Sequence, residues 1–394
     1  MKKLIFNSLA LVAFVVSLSF TSCKDETEAK TGIDALIEQG VLTGELDHQV
    51  TLESKTYKLT GTFVVKSGAT LTIPAGARIV ATEGYGSYII VAQGGKININ
   101  GTAAKPVVMT ADDESKAKAG YWGGLIINGK AKISGASEGV TAICEMNSKF
   151  TYGGTDDNDN SGSITYLIMK YAGARSSADV EHNGLTLDAV GRGTKIENIY
   201  IYENADDGIE CFGGSVDLKN VLVVNQDDDM FDCTQGYKGK WENFYGVWEG
   251  AFSSTEVDPR GVEADGNFDG KTPNDINQSN FTVVNMTFNL KLANDPSTTN
   301  GKLMYDVIKL RRGAKATISN VMVTGTGAVQ DLVDCTDSKG DAATGSTINI
   351  TNSLTNTITG SASKPGANTA AVTVSTTNTG CSKDIFAWTG YTNF

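Results

Sequence analysis

Two stretches of the chain, NADDGIEC (residues 204–211) and QDDDMFDC (residues 226–233), repeat one pattern at an offset of 22 residues. The residues before them repeat at the same offset, because IENIYIYEN (196–204) aligns with LKNVLVVNQ (218–226). An apolar alternating run followed by an acidic turn, at a period near 22, is typical of a repeating β unit. One such unit cannot bury its own apolar face, so each copy must stack on the next.

The composition favours the same architecture. The 394-residue chain has 44 glycines and only 20% charged residues, and short β-rich runs alternate with turn sequences such as PAG and QGG. The only helix indicated is a short one over residues 33–38. We therefore predict an all-β fold, a single-stranded right-handed parallel β-helix of about 15 coils and about 70 Å. A β-sandwich array is the main alternative, but it would show hairpins at shorter spacing. Insertions are expected at residues 112–120, 134–159, 252–280 and 337–346.

Asparagine recurs just before or within the apolar runs. It tolerates the left-handed backbone that a tight bend requires, and stacked asparagines can hydrogen-bond along a ladder. A structural role is sufficient for these residues, and we predict no ligand for them. The residues are Asn198, Asn220, Asn285, Asn320 and Asn352.

The N-terminus has the features of a lipoprotein export signal. Lys2 and Lys3 precede a mostly apolar run, and small residues lead to Cys23. We predict a signal peptide over residues 1–22, a tether over 23–45 that is lipidated at Cys23, and a β-helix domain over 46–394. An ordinary signal peptide with a chance cysteine is the alternative. Residues 24–26 (KDE) resemble the tag that sends some Gram-negative lipoproteins to the outer leaflet, which implies a surface-exposed outer-membrane protein.

The charge of the chain restricts its partners. Removal of Lys2 and Lys3 with the signal takes the net charge from −12 to −14. Such acidity argues against nucleic acids and anionic lipid surfaces. It favours cations and neutral or basic ligands, and the expected contact with the membrane is through the lipid alone.

Five cysteines follow Cys23. Cys211 and Cys233 occupy the same position in successive repeats, and stacked strands are close enough in Cα spacing for a disulfide. We predict this bond, with two reduced, stacked core thiols as the alternative. An odd number of cysteines leaves at least one thiol free or in an intermolecular pair.

The acidic turns form a candidate site, because alignment of the repeats stacks their carboxylates about 5 Å apart. Like charges at that distance require compensation. Calcium, a raised pKa in a catalytic pair, or a lysine or arginine from an insertion could supply it, and solvated turn aspartates are the plainest alternative. The residues are Asp206, Asp207 and Glu210 in one turn, and Asp227, Asp228, Asp229 and Asp232 in the next.

Two other loops match the first half of a calcium-binding loop. DNDNSG (157–162) and DGNFDG (265–270) place oxygens at positions one, three and five and glycine at position six. Neither loop has a glutamate at position twelve, where Ile168 and Ile276 stand, so neither is an EF-hand. The calcium ligands predicted from these loops are Asp157, Asp159, Ser161, Asp265, Asn267 and Asp269, and those predicted from the acidic turns are Asp228 and Asp229.

KLRRG (309–313) is the one dense basic cluster of the predicted rod. Beside the acidic turns it would resemble β-helix polysaccharide lyases, in which calcium and carboxylates hold a uronate and Arg or Lys removes a proton. It follows the turns by about 80 residues, which favours simple neutralisation of neighbouring carboxylates. An enzyme would use Asp206, Asp207, Asp228, Asp229, Arg311 and Arg312.

Aromatic residues and histidines do not decide between an enzyme and a binding protein. Aromatics such as Tyr121, Trp122, Trp241, Tyr245 and Trp248 could stack on sugar rings, although packing is their commoner role. The chain has two histidines, and no Ser–His–Asp set or zinc-ligand spacing is apparent.

The chain resembles a family of bacterial exported lipoproteins with parallel β-helix folds. The resemblance covers about residues 50–325 and includes GATLTIPAGARIVA, GYWGGLIINGKA, NGLTLDAVGRGTKIENIYIYENADDGIECF and RGVEAD. It implies the fold and export, and it does not specify an activity. Our leading hypothesis is a non-enzymatic surface lipoprotein, braced by Ca²⁺, that binds a glycan, a surface protein or the envelope. The alternative is a calcium-dependent polysaccharide lyase or a glycosidase.

Overall fold

The computed structural model describes residues 32–177, 180–292 and 302–394. The predicted signal peptide, Cys23 and the KDE tag lie outside these residues. Within them, no helix is both long enough and apolar enough to cross a membrane. One α-helix, α1 (Ile33–Glu38), stands where the sequence predicts it, before the first strand.

The rest of the described chain is built mainly from short strands and turns, with two 3₁₀ segments at Phe268–Gly270 and Lys383–Thr389. The strands are β1 (Val41–Leu46), β2 (Gln49–Thr51), β3 (Thr56–Val65), β4 (Thr70–Pro74), β5 (Arg78–Ala81), β6 (Ile89–Val91), β7 (Lys96–Asn100), β8 (Val107–Ala111), β9 (Leu125–Asn128), β10 (Thr141–Ile143), β11 (Thr151–Gly153), β12 (Gly162–Lys170), β13 (Arg175–Ser177), β14 (Val180–Glu181), β15 (Leu185–Asp188), β16 (Lys195–Asn204), β17 (Ile209–Phe212), β18 (Leu218–Gln226), β19 (Phe231–Thr234), β20 (Lys240–Trp248), β21 (Arg260–Asp265), β22 (Asn280–Leu290), β23 (Leu303–Arg311), β24 (Lys315–Gly325), β25 (Ala328–Asp334), β26 (Thr347–Leu354) and β27 (Ala371–Ser375).

Apart from the antiparallel pairs β10–β11 and β13–β14, the strands stack in parallel into three faces around one axis, which confirms the predicted parallel β-helix. The face that matters for function is called the groove face, and it contains β1, β3, β6, β9, β15, β17, β19, β21, β23 and β25 in that order. These ten strands mean ten coils on this face, fewer than the 15 predicted. The estimate was too high because insertions lengthen many coils: 22 residues separate Glu210 from Asp232, but 46 separate Glu263 from Lys309.

Inward side chains form apolar columns along the axis. Leu185, Ile209, Phe231, Val262 and Ile308 are in register on consecutive strands of the groove face, and all five are buried. Each coil therefore covers the apolar side chains of the previous one, and this burial is the main driving force for stacking.

Cys211 and Cys233 are in register in such a column, as the repeat predicts, but the disulfide is absent. Both thiols are free and buried, which is the stated alternative of two reduced, stacked core thiols. In-register neighbours point the same way, so their Cβ atoms keep about the 4.8 Å spacing of the strands, whereas a disulfide requires about 3.8 Å. The five cysteines of the described residues are all free: Cys144, Cys211, Cys233, Cys335 and Cys381.

The predicted asparagine ladder lies at a bend between the other two faces. Asn198, Asn220, Asn285 and Asn320 have φ between 55° and 61°, in the left-handed region. Asn243, which the sequence pattern did not single out, completes the ladder between Asn220 and Asn285. Each Nδ2 donates to the Oδ1 of the preceding coil, at 2.7 to 2.9 Å. Asn352 does not take part, because the pairing shifts between Ile318 and Val321 and its Oδ1 accepts from the Leu354 amide instead.

Two boundaries differ from the predicted ones. β1 pairs with β3, so residues 41–45 belong to the first coil and not to a tether. β21 (Arg260–Asp265) lies inside the insertion predicted over 252–280 and divides it into two loops. The stretch RGVEAD contributes to the family resemblance, but it was not predicted as a strand because its outward positions are charged and its apolar alternation is short.

Candidate functional site: an acidic groove

Outward side chains of the groove face form two columns across consecutive coils. Glu210, Asp232 and Glu263 are in register on β17, β19 and β21, in the middle of the first column. Thr186 precedes them and Lys309 follows them. Because the coils are about 4.8 Å apart, successive carboxylates interact directly. The second column contains Asp188, Phe212 and Thr234 on β15, β17 and β19, and Asp265 and Arg311 on β21 and β23.

Two insertions wall this face and turn it into a groove. One contains the β10–β11 hairpin, whose turn carries Glu145, and the other follows β21 and carries Phe268. Both lie within insertions that the sequence predicts. The space between them, of about 470 Å³, is called the acidic groove. It is lined by Glu145, Glu210, Phe212, Asp232, Thr234, Glu263, Asp265, Phe268, Asp269, Lys271 and Arg311.

Glu210 and Asp232 are half-buried carboxyl groups without a cationic partner. Among the described residues, no nitrogen of lysine, arginine or histidine lies within the 4.0 Å of an ion pair from either group. Asn183 Nδ2 donates to Glu210 Oε2 at 2.6 Å, and Asp232 Oδ1 has no hydrogen-bond partner. Burial, and then the nearby carboxylates, raise the pKa of both groups well above the usual range. The pair is therefore suited to hold a proton or a cation.

Most aspartates of the acidic turns have a structural role instead. Asp207 Oδ1 accepts from the Asp229 amide at 2.9 Å, and Asp229 Oδ1 accepts from the Arg260 amide at 2.7 Å. Asp227 Oδ1 accepts from the Thr255 amide at 2.7 Å. Each of these carboxylates binds a backbone group of the following coil or loop. The predicted acidic ladder thus separates into turn residues that join the coils and strand residues that face the groove.

Asp228 belongs to neither set. Its Oδ1 has no hydrogen-bond partner, and burial, followed by the charge of Glu263, raises its pKa to about 8. One oxygen each of Asp206, Asp207 and Asp228 lie within 4.8 Å of one another, as do one oxygen each of Asp207, Glu210 and Asp232. These sets of oxygens have the chemistry of a calcium site, which prefers several carboxylates.

Beyond Glu263 the first column changes from acidic to alternating charge. Lys309 Nζ lies 2.9 Å from Asp334 Oδ2, and Lys364 is paired in register with Asp334. Arg260 is buried beside Asp306, with Nε 3.4 Å from Oδ2. Ion pairs thus compensate the carboxylates at one end of the groove face, whereas Glu210 and Asp232 form none with the described residues.

The arginines of KLRRG lie at the groove, closer than the sequence separation implied, because only two coils separate Asp232 from Lys309. Arg311 Nε lies 2.8 Å from Asp265 Oδ1 and the Arg311 guanidinium contacts Glu263, while Arg312 Nη1 lies 2.6 Å from Asp265 Oδ2. The predicted neutralising role is confirmed. Burial alone would lower the pKa of Arg311, but Glu263 and Asp265 outweigh it and raise the pKa. Arg311 therefore stays protonated and is not suited to act as a base.

The two calcium-like loops are held by protein contacts. In the first, Asp157 Oδ2 lies 3.6 Å from Lys132 Nζ, and Ser161 Oγ donates to Asp159 Oδ2 at 2.9 Å. In the second, Asp265 lies between Arg311 and Arg312, as described above. The remaining predicted ligands of that loop are also engaged: Asn267 accepts from the Thr272 amide, and Asp269 pairs with Lys271. Calcium at these loops stays a prediction.

The aromatic residues considered for sugar stacking pack inside the molecule. Trp122, Trp241 and Trp248 are fully buried, and Tyr121 and Tyr245 are 3% and 6% exposed. Packing, the commoner role, is therefore the correct one. His182 is also buried, and burial lowers its pKa to about 4.

Sequence reasoning missed Glu263, Arg260 and Glu145. Glu263 had a usable signal, because VEA (262–264) occupies the position of IEC (209–211) and FDC (231–233) once the loops between coils are removed. Glu145 lies in an insertion and has no repeat partner. Its place beside the groove depends on how the β10–β11 hairpin folds back.

Comparison with known proteins agrees with this architecture. A family model described as a pectate-lyase-like β-helix domain matches residues 44–392. The chain therefore belongs to this family of pectate-lyase-like β-helix domains. Searches of curated proteins and of solved structures gave no significant match.

Proposed function

We propose that this protein is a non-enzymatic, lipid-anchored protein of the cell surface that binds a glycan in the acidic groove, with Ca²⁺ held at Glu210 and Asp232. The observation that carries the proposal is that these two carboxylates face an open groove from adjacent coils, and neither forms an ion pair with a described residue. Family membership supports the β-helix scaffold and leaves the ligand open.

The donor set is consistent with calcium. Ca²⁺ takes six to eight oxygens from carboxylates, carbonyls and water. One oxygen each of Asp207, Glu210 and Asp232 lie within 4.8 Å of one another, and one oxygen each of Asp229, Asp232 and Glu263 form a second such group. A bound cation would remove the repulsion that raises the pKa of Glu210 and Asp232, and it could bind sugar hydroxyls or a sugar carboxylate from the solvent side.

The shape of the groove supports an extended ligand. It crosses several coils, from Phe212 on β17 to Arg311 on β23, and the two insertions bound it on either side. Polar side chains at regular spacing suit a chain of repeating hydroxylated units. A lipid at Cys23 would place this groove outside the membrane surface, where such ligands occur.

Calcium binding is tested by titrating chelator-treated protein that starts at residue 24 and comparing thermal unfolding with and without Ca²⁺. We expect one calorimetrically detected site and a Ca²⁺-dependent rise in Tm. Glu210→Gln with Asp232→Asn should abolish both effects, whereas the matched exposed changes Glu83→Gln with Asp217→Asn should leave them intact. No binding, or equal binding by both double variants, would refute the site.

Glycan binding is tested separately, on an array of neutral and uronate-containing polysaccharides. The wild-type protein should bind one class, and calcium removal should weaken that binding at least tenfold. The double variant Glu210→Gln with Asp232→Asn should show the same loss. Retention of all binding by this variant would exclude the groove as the glycan site.

A second function, glycoside hydrolysis, is favoured by one specific observation. Glu210 and Asp232 are adjacent carboxyl groups whose raised pKa values suit an acid and base pair. A lyase that uses Arg311 as the base is less consistent with the structure, because Arg311 stays protonated. Incubation with the bound polysaccharide distinguishes the cases: new reducing ends indicate hydrolysis, unsaturated products indicate lysis, and an unchanged polymer supports a binding protein.

A further inference from the structure

A second cavity adjoins the acidic groove along the groove face. It encloses about 560 Å³ above β15 and β17, under the β10–β11 hairpin, and we call it the apolar cavity. Small-molecule sites have volumes of this size. Its lining includes Ala142, Ile143, Met146, Tyr152, Phe212 and Phe268.

The rim of the apolar cavity exposes large apolar side chains. Ile143 is 62% exposed and Phe268 is 39% exposed, although both stand beside a concave apolar surface. The hairpin and the loop after β21 thus present apolar side chains to an open space. An apolar group of a ligand would cover them and bury surface that water now contacts.

The floor of the apolar cavity carries two polar side chains with unpartnered atoms. Asp188 is 2% exposed and its Oδ2 has no hydrogen-bond partner, and Asn183 is 4% exposed and its Oδ1 has none. The Asn183 amide nitrogen is engaged by Glu210 and Thr186, so only its oxygen remains to accept. Buried polar atoms normally have partners, so these two indicate a missing one.

The two atoms differ in what they require. Burial raises the pKa of Asp188 to about 8, so its carboxyl is protonated at neutral pH and can donate a hydrogen bond. Asn183 Oδ1 can only accept one. An amide with an acyl substituent offers an acceptor and a donor on separate atoms, next to an apolar body. A negatively charged group is disfavoured, because the floor is buried and Glu145 and Glu210 lie nearby.

The apolar cavity and the acidic groove are continuous. Glu145, Phe212 and Phe268 line both. A ligand that lies in the groove therefore has its substituents beside the cavity. We propose that the apolar cavity binds the N-acyl group of an amino sugar, which makes an N-acylated glycan the ligand of the groove; this rests on the glycan-binding function proposed above.

The test uses the protein that starts at residue 24 and simple sugars as probes. N-acetylglucosamine and N-acetylgalactosamine are titrated beside glucose and galactose, and binding is followed by saturation-transfer NMR and calorimetry. We expect at least one N-acetyl sugar to bind tenfold or more tightly than its parent sugar. Equal affinity for acetylated and parent sugars would overturn the proposal.

Variants test whether N-acetyl sugars bind in the apolar cavity. Ile143→Lys places a charge at the exposed rim and should lower N-acetyl sugar affinity at least tenfold, while Val257→Lys, at a residue 80% exposed and away from the cavity, should not. Asp188→Ala should weaken binding and Asp188→Asn, which keeps a donor, should restore most of it. Equal binding by wild type and Ile143→Lys would overturn the assignment.

The groove variants distinguish this proposal from the one it rests on. Asp232→Asn alone, which leaves the hydrogen bond from Asn183 to Glu210 in place, should weaken calcium and polysaccharide binding but keep the preference for N-acetyl sugars. Loss of that preference in this variant would overturn the apolar cavity as a distinct subsite. A protein that binds polysaccharide but shows no preference for N-acetyl sugars would retain the glycan function and lose the N-acyl assignment.

Discussion

Glu210 on β17 is paired in register with Asp232 on β19, and both carboxyl groups face the acidic groove without a cationic partner among the described residues. Two acids at this spacing are unfavourable when both are ionised. The arrangement persists because the inward neighbours of the same strands, such as Ile209, Cys211, Phe231 and Cys233, are buried in the core.

This pairing predicts that a neutral side chain stabilises the fold. Because burial and Asp232 raise the pKa of Glu210, its ionised form is unfavourable in the folded protein. Glu210→Gln should increase the free energy of unfolding by on the order of 1 kcal/mol in calcium-free buffer, measured by urea denaturation. Glu83→Gln, at an exposed glutamate outside the groove, should have no effect. A loss of stability in Glu210→Gln would contradict this account.

Stability should fall as the pH rises from about 5 to 8.5. The pKa of Asp188 and that of Asp228 are both raised to about 8 from an ordinary 3.8, so the folded protein binds more protons than the unfolded chain between these values. The associated stability is complete below about 4 and is lost as the pH rises through 8. Groups with lowered pKa values, such as Asp334 and Asp337, contribute stability that is lost only at acidic pH.

The pH prediction is measured as the free energy of unfolding at pH 5.5 and 8.5. Asp188→Asn is neutral in both states, so it should reduce the difference between the two values. A wild-type protein that gains stability between pH 5.5 and 8.5 would rule out protonated carboxyl groups as the dominant effect.

Arg260 should be essential for the stability of the central coils. It is buried, with Nη1 3.3 Å from Glu263 Oε2 and Nε 3.4 Å from Asp306 Oδ2. Its removal leaves buried carboxylates without their cation, at a cost of about 3–5 kcal/mol. Arg260→Met should show this loss in urea denaturation, and Arg192→Met, at an exposed arginine, should not. A change below about 1 kcal/mol for Arg260→Met would show that the network does not depend on it.

The asparagine ladder should contribute through its hydrogen bonds and through its backbone conformation. Asn243 has φ 61°, donates to Asn220 Oδ1 and accepts from Asn285 Nδ2, each at 2.9 Å. Asn243→Ala should cost about 1–3 kcal/mol, and Asn243→Gly should cost less because glycine adopts this φ freely. The exposed Asn274→Ala provides the control. If the Ala and Gly variants lose the same stability, the left-handed backbone conformation of Asn243 does not contribute to the effect.

The thiols should behave as buried and reduced. The Tm of the protein that starts at residue 24 should be unchanged by a reducing agent, because none of its described cysteines is cross-linked. Thiol titration should detect five groups after denaturation and few before it, since all five are buried. A drop in Tm on reduction, or three thiols after denaturation, would show that one pair of cysteines is bonded, and peptide mapping would then test Cys211 with Cys233.

The repeat around Glu210 and Asp232 was sufficient to predict the fold and the pairing of these residues, because stacking in register follows from the need to bury Ile209 and Phe231. The coil number was not predictable from it, because insertions interrupt the period. Glu263 could have been predicted as a groove residue, because VEA aligns with FDC once the intervening loop is removed from the alignment. The short distance between Glu263 and Arg311 could not be predicted. Glu263 and Lys309 are 46 residues apart in the sequence, but they lie on adjacent coils in the structure.

The sequence by itself determined the parallel β-helix, the in-register carboxylates and the asparagine ladder, since each depends on side-chain alternation within neighbouring repeats. Only the tertiary structure decided which acids face the groove, which ones join the coils, and which ones form no ion pair with the described residues. Those outcomes depend on the insertions that bring Glu145 and Phe268 beside the strands and on the coil that brings Arg311 to Asp265. Local patterns do not encode such contacts, because loops of different length fold back according to what they can cover.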